Sequence, residues 1–186
     1  MHKLQEAFEA RNKKLNKIEK VKELKRPLSV YQELDKISAE GLDALKDEDS
    51  SFFLKCFGAF LKKDGKFMLR VRIPAGQLSI DQAAKIGEVS KKYGEDYIDI
   101  TTRQQIELRY IKIENLSTVI KELDSVGIST FQTGVDNFRN IVTSSFDGLG
   151  DKSIIKVKPL INALQSIFFE KEEWIGTLPR KFNTAI

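Results

Sequence analysis

The stretch "FMLRVRIPAG", residues 67–76, decides the fold. Successive side chains of a β-strand point to opposite sides, so Phe67, Leu69, Val71 and Ile73 share one face while Met68, Arg70 and Arg72 share the other. The strand runs into a Pro-Ala-Gly turn. Beyond it Ser79 and Gln82 form a capping box for a helix that the spacing carries to Tyr93 and that Gly94 closes. Residues 97–100 make a short strand and residues 106–113 another, with Ile106, Leu108 and Tyr110 on a single face. Leu116, Val119, Ile120, Leu123 and Val126 then recur at helical spacing, Gly127 stops that helix, and residues 128–132 return as a last strand. This order, β-α-β-β-α-β, is the split βαβ or ferredoxin-like arrangement of the α+β class, with the helices on one face of an antiparallel sheet. The other face is left free, and Arg70 and Arg72 belong to it.

The flanks read differently. Residues 1–26 hold nine basic and four acidic side chains and residues 27–50 two basic and seven acidic ones, so residues 1–50 form an electrically polarised arm. Leu4, Phe8, Leu15, Ile18 and Val21 follow helical spacing and predict an amphipathic helix ending near Pro27. Residues 51–133 hold the ferredoxin-like pattern. From residue 134 onward "VDNFRNIVTSSFDGLGD" reads as a loop, and "KPLINALQSIFFE" as a helix with Pro159 in its first turn and Leu160, Leu164, Ile167 and Phe168 inward. "LPRKFNTAI" starts a strand whose partner is not evident, which predicts a longer chain or a pairing partner.

Composition narrows the function. The chain has 186 residues, 41% of them apolar, enough for one ordinary core. Its 31 basic residues are interspersed with 27 acidic ones, so no nucleic-acid stripe stands out. Cys56 is the sole cysteine and His2 the sole histidine, which rules out a disulfide framework and a Cys/His zinc site built by this chain alone. No apolar run nears the roughly 20 residues that span a bilayer, and the first residues lack a signal-peptide core; the expected location is cytoplasmic and no membrane partner is implied.

Four stretches gather basic or amide side chains beside strand ends and turns: "LRVR" (Arg70, Arg72), "TTRQQIELR" (Thr101, Arg103, Gln104, Arg109), "DNFRN" (Asn137, Arg139, Asn140) and "LPRKFN" (Arg180, Lys181, Asn183). Neither a Ser-His-Asp set nor a Cys-His pair is available, and glycine-rich phosphate loops are absent. Arginine suits carboxylates and small oxyanions because its planar fork donates paired hydrogen bonds and keeps its charge at neutral pH. Lysine adds a proton source. The chemistry is that of anion holding; spacing alone does not name the anion.

In this order and separation, "FMLRVRIPAG", "TTRQQIELR", "TGVDNFRNIV" and "LPRKFN" resemble the N-terminal half of the siroheme-dependent nitrite and sulfite reductases, from about residue 53 onward. The resemblance implies a ferredoxin-like half-domain over residues 51–133, followed over residues 134–186 by the beginning of a mixed α/β siroheme-binding domain. It implies siroheme and a 4Fe-4S cluster as cofactors, an oxyanion substrate and an electron donor such as ferredoxin. Arg70 and Arg139 match positions that contact the substrate anion, Lys181 the lysine that supplies charge and protons, and Asn183 the position that separates nitrite-type members, with Asn, from sulfite-type members, with a second Lys. Arg103, Gln104, Arg109 and Arg180, with Thr101 and Asn140, match positions that hold siroheme carboxylates or shape the pocket; Arg72 is given a structural role.

Some features depart from the family pattern. Glu107 stands where Gln is common, and a carboxylate there is repelled by the macrocycle's acids unless Arg109 or another base pairs with it. "TSSFDGLG" lacks the usual Pro-Ala-Gly continuation. Cys56 alone cannot supply the four thiolates a cluster needs, so those ligands are expected outside this chain, which by itself should be inactive. The implied reaction is six-electron reduction of nitrite to ammonia. Reduction of sulfite to sulfide is the alternative, and a non-catalytic subunit or assembly module that pairs with another chain is the second.

Overall fold

The computed structural model describes residues 15–149 and 154–186; Leu4 and Phe8 of the proposed arm helix lie outside them. Three short helices open the described chain: α1 (Lys17–Lys22), α2 (Pro27–Gln32) and α3 (Leu34–Glu40). Asn16 caps α1 by accepting from the Glu19 N–H at 3.0 Å. Pro27 opens α2 at its first position instead of ending a long helix, because its missing N–H costs nothing there. A π-helical turn, Asp49–Phe53, continues into α4 (Leu54–Cys56) and buries Phe52 and Phe53.

The sheet is β1 (Ala59–Leu61), β2 (Phe67–Val71), β3 (Ile98–Ile100) and β4 (Ile106–Ile111), in the order β1-β2-β4-β3 and antiparallel throughout. Helices α5 (Ile80–Tyr93) and α6 (Ile113–Asp124) join its core through Ile86, Val89, Leu116, Val119 and Leu123. The Ser79–Gln82 capping box forms with both of its hydrogen bonds, and Gly94 and Gly127 end the two helices as the sequence predicts. Phe52, Phe53, Phe57 and Phe67 are all essentially water-free, each contributing about 2–3 kcal/mol of apolar burial.

Three expectations about this sheet change. Residues 128–132 do not form a strand: β1 holds the start of the β2 edge, leaving this segment one ladder-like bond, Arg72 N–H to Ser129 O at 2.8 Å, before Gln132 turns through a left-handed φ of 57°. Tyr110 does not share the face of Ile106 and Leu108. Between the pairs Leu69–Leu108 and Phe67–Ile111 the β4 strand carries one extra residue, a bulge with Tyr110 at φ 62°, which turns Tyr110 outward and gives the buried place to Ile111. The sheet face opposite the helices is not bare either, since Met68 and Arg72 on it are both buried.

A second, smaller unit follows. The "DNFRN" stretch, read as loop, is strand β5 (Phe138–Val142), and it pairs in parallel with β6 (Phe182–Ala185) across helix α7 (Val157–Gln165). The stripe of α7 is Val157, Ile161, Leu164 and Phe168 rather than one through Leu160 and Ile167, which are 41% and 56% exposed. Leu164 and Phe168 keep the inward places that the spacing gives them, and Val157 and Ile161 take the other two. Phe138 stacks on Phe168 at 4.4 Å and meets Trp174 and Phe182 edge-on, so this core is largely aromatic. The Pro-Ala-Gly turn joins the two units: Ala75 packs in the second core, and Gly76, at φ 67°, lets Gln104 approach where a Cβ would stand 2.9 Å from it.

Candidate functional site

Two of the four basic stretches meet at one carbonyl. Arg70 Nη1 donates to Thr133 O at 3.1 Å, and Arg139 Nη1 donates to the same oxygen. Arg70 also lies over the Phe60 ring at 4.9 Å. The third stretch arrives on β5: Arg103 Nη2 donates to Asn140 O at 2.6 Å, while Asn140 Nδ2 donates back to Arg103 O at 3.1 Å and to Ile73 O at 2.7 Å. Thr133 and its carbonyl are the residue that sequence reading missed, although "TGVDNFRN" places it directly before the matched positions.

Charge in this cluster is mostly positive and poorly answered. Burial, then the nearby Arg70 and Arg103 charges, pull the Arg139 guanidinium down to about 10, with Asp136 opposing. Burial lowers Arg103 as well. Among the described residues Arg103 Nε, Arg139 Nε and Asn140 Oδ1 are buried without a partner. A buried guanidinium N–H with nothing to donate to is costly, and an oxyanion or carboxylate is the acceptor that relieves it.

Other predicted residues are held by the protein itself. Gln104 donates from Nε2 to Thr143 O at 2.6 Å and accepts from Thr143 N–H at 3.0 Å, so its amide acts as a rung between the 101–105 turn and β5. Thr101 Oγ1 accepts from the Gln105 N–H at 3.1 Å and closes that turn. Arg109 lies one step away along the sheet, bound through Nε to Asp99 and through Nη2 to Glu107 at 2.9 Å. Glu107 binds Arg70 with its other oxygen, so the out-of-pattern carboxylate is paired twice. Arg180, Lys181 and Asn183 are exposed and lack a partner among the described residues. They flank or precede Phe182, whose N–H donates to Asn137 O at 3.0 Å, so the fourth stretch adjoins the third.

Two groups position these stretches. Arg72 is buried and donates to the carbonyls of Phe131, Gln132, Phe138 and Arg139 and to Gln165 Oε1. Burial and the Arg139 charge pull it down to about 9, still protonated at neutral pH. Lys22 of α1 binds Asp136 at 2.8 Å, Leu178 O at 2.7 Å and Glu19 at 2.6 Å, which ties the arm to the loops leading into both β5 and β6.

Cys56 is a free thiol packed in the core. Burial pushes its thiol from 9.0 up to about 12, and no group of three metal-ligating side chains occurs among the described residues. A folded-state value above the unfolded one means the thiol favours folding below about pH 9 and that this contribution is lost as pH rises toward 12. Iodoacetamide should therefore leave Cys56 unmodified at pH 8 in the native protein and alkylate it once urea unfolds the chain; prompt labelling of the native protein would show the thiol to be accessible.

The family described as the nitrite/sulfite reductase ferredoxin-like half domain matches residues 60–126. The ferredoxin–nitrite reductase of Leptolyngbya laminosa is 37% identical over 178 residues, covering 92% of this chain and 35% of the relative. That of Synechococcus elongatus is 36% identical, with coverage of 95% and 36%. The solved structure of the Mycobacterium tuberculosis NirA protein superposes with a TM-score of 0.84 at 25% identity, over 92% of this chain and 35% of that one. The chain thus spans about a third of the length of the relatives it matches.

Proposed function

We propose, from a chain that carries the ferredoxin-like half domain of the siroheme nitrite and sulfite reductases, that it is the N-terminal part of a ferredoxin-dependent nitrite reductase. The reaction takes nitrite to ammonium with six electrons and eight protons, both oxygens leaving as water. Residues 51–133 are then the half-domain and residues 134–186 the beginning of the siroheme domain. The observation that carries this reading is the convergence of Arg70, Arg103 and Arg139 around Thr133 and Asn140, with buried guanidinium N–H groups that have no acceptor.

The donor set fits siroheme, whose carboxylates need several fixed cations. Arg103 and Arg180 would hold those acids, with Gln104, Thr101 and Asn140 shaping the wall and Arg109 neutralising its carboxylate neighbours. When bound, that group supplies the iron site and the path for electrons. The 4Fe-4S cluster does not fit this chain, since one protonated, buried thiol cannot replace four thiolates; its ligands and the ferredoxin contact belong to the rest of the protein, and this chain alone is inactive.

The chain's own residues bind and orient the anion. Arg139 and Arg70 fix negative charge from the Thr133 side, and Lys181, exposed on the approach to β6, carries the mobile proton. Asn183 in place of a second lysine lowers the local charge by one, which suits a monoanion better than a dianion. Steady-state turnover of the whole protein with reduced ferredoxin, followed as ammonium from nitrite and sulfide from sulfite, tests the proposal; a preference for sulfite overturns it. Lys181→Met should lower kcat/KM for nitrite about a hundredfold, in the range for loss of a positioned proton donor, and leave the unfolding midpoint unchanged because the side chain is exposed.

A further inference from the structure

Glu107 carries the opposite charge to the anion-holding residues around it, and it is buried, 7% exposed, on the inner strand β4. It is the cross-strand register partner of Arg70. Its Oε1 accepts from Arg70 Nε at 2.9 Å and Nη2 at 2.6 Å, and its Oε2 lies 2.9 Å from Arg109 Nη2. The Nε–Nη2 edge is one with which a guanidinium forms paired bonds to a carboxylate or an oxyanion. On Arg70 that edge is therefore already occupied by an internal carboxylate, and the remaining Nη1 serves Thr133 O.

We infer that Glu107 is a built-in competitor for the substrate anion: an oxyanion gains the paired-donor edge of Arg70 only by displacing Glu107, whose charge Arg109 then retains. The exchange is feasible because the carboxylate is shared. A buried carboxylate stripped of its only partner would cost several kcal/mol, whereas this one keeps Arg109, itself anchored by Asp99. The surrounding field favours the exchange too, since the Arg139 guanidinium shares the Thr133 carbonyl with Arg70 and feels the charges of both Arg70 and Arg103. Glu107 is in this sense a positioning residue that sets affinity through Arg70. The inference rests on the reading that Arg70 faces the substrate anion.

The test compares the whole protein with Glu107→Gln, of the same shape without the charge, and Glu107→Asp, which keeps the charge. Glu107→Gln should lower KM for nitrite about tenfold, the scale of one charge-assisted bond no longer in competition, and leave kcat within about twofold. Glu107→Asp should stay close to the unaltered KM. In thermal unfolding with nitrite or sulfate as the added probe, Glu107→Gln should start lower and rise more steeply with anion than the unaltered protein, as tighter native-state binding requires. A brace with no part in anion binding gives the lower start with the same slope and an unchanged or higher KM, and that result overturns the inference. If the unaltered protein turns over neither nitrite nor sulfite, the proposed activity fails, and the difference in anion slope alone decides the role of Glu107.

Discussion

Replacing Arg72 with methionine should destabilise the protein by about 4 kcal/mol or more, the range for removing one partner from a buried charged network. Methionine fills similar space and removes every donor, so the carbonyls of Phe131, Gln132, Phe138 and Arg139 and the amide oxygen of Gln165 all lose an N–H at once. Contact with the Phe169 ring, 5.2 Å from the guanidinium carbon, goes with it. Against a typical total of about 5–15 kcal/mol this is a large fraction. Urea denaturation of the variant reads it directly, and a loss under about 1 kcal/mol would mean those carbonyls find water instead. Arg72→Lys should recover little, because a single ammonium cannot span acceptors from the 131–132 segment, a strand and a helix.

Gly134→Ala should be as damaging for a different reason. A Cβ at that position would lie 1.9 Å from Lys55 O and 2.8 Å from the Phe60 ring, and one of the two obstacles is backbone. The chain must therefore shift, at about 3 kcal/mol or more, the upper range for overpacking. The displacement falls on Thr133 and on the Asn137 Nδ2 bond to Gly134 O, 2.8 Å, which set the Arg139 side of the proposed anion site. Reduced stability should appear, with weakened nitrite binding beside it if the proposed function holds; a variant of normal midpoint would show that residues 133–137 can slide without cost.

Much of this was legible in the chain because it is local. The Ser79–Gln82 box, the stops at Gly94 and Gly127 and the core stripe of α6 depend on neighbours within one or two turns, and they stand where spacing puts them. What spacing could not supply was competition between distant segments. Residues 128–132 have a strand's composition but find the start of the β2 edge taken by β1. "DNFRN" has a turn's composition but is pulled straight by Arg72 and Arg103, which bind the carbonyls of Phe138, Arg139 and Asn140. The basic stretches could be seen as a set; that Glu107 already holds Arg70, and that Lys22 reaches Asp136 and Leu178 from the arm, are tertiary facts with no trace in local pattern.

The parallel pairing of β5 with β6 bears on the order in which the molecule assembles. Parallel neighbours cannot be joined by a tight hairpin, so the crossover through α7 must close before any rung between them forms. Strand β5 also has the arginine clamps of the first unit, whereas β6 leans mainly on β5 and a shared aromatic contact. Amide exchange should accordingly be slowest along β2 and β4, intermediate along β5 and fastest along β6, making the Lys181–Asn183 segment the first part of the proposed site to open and the last to close.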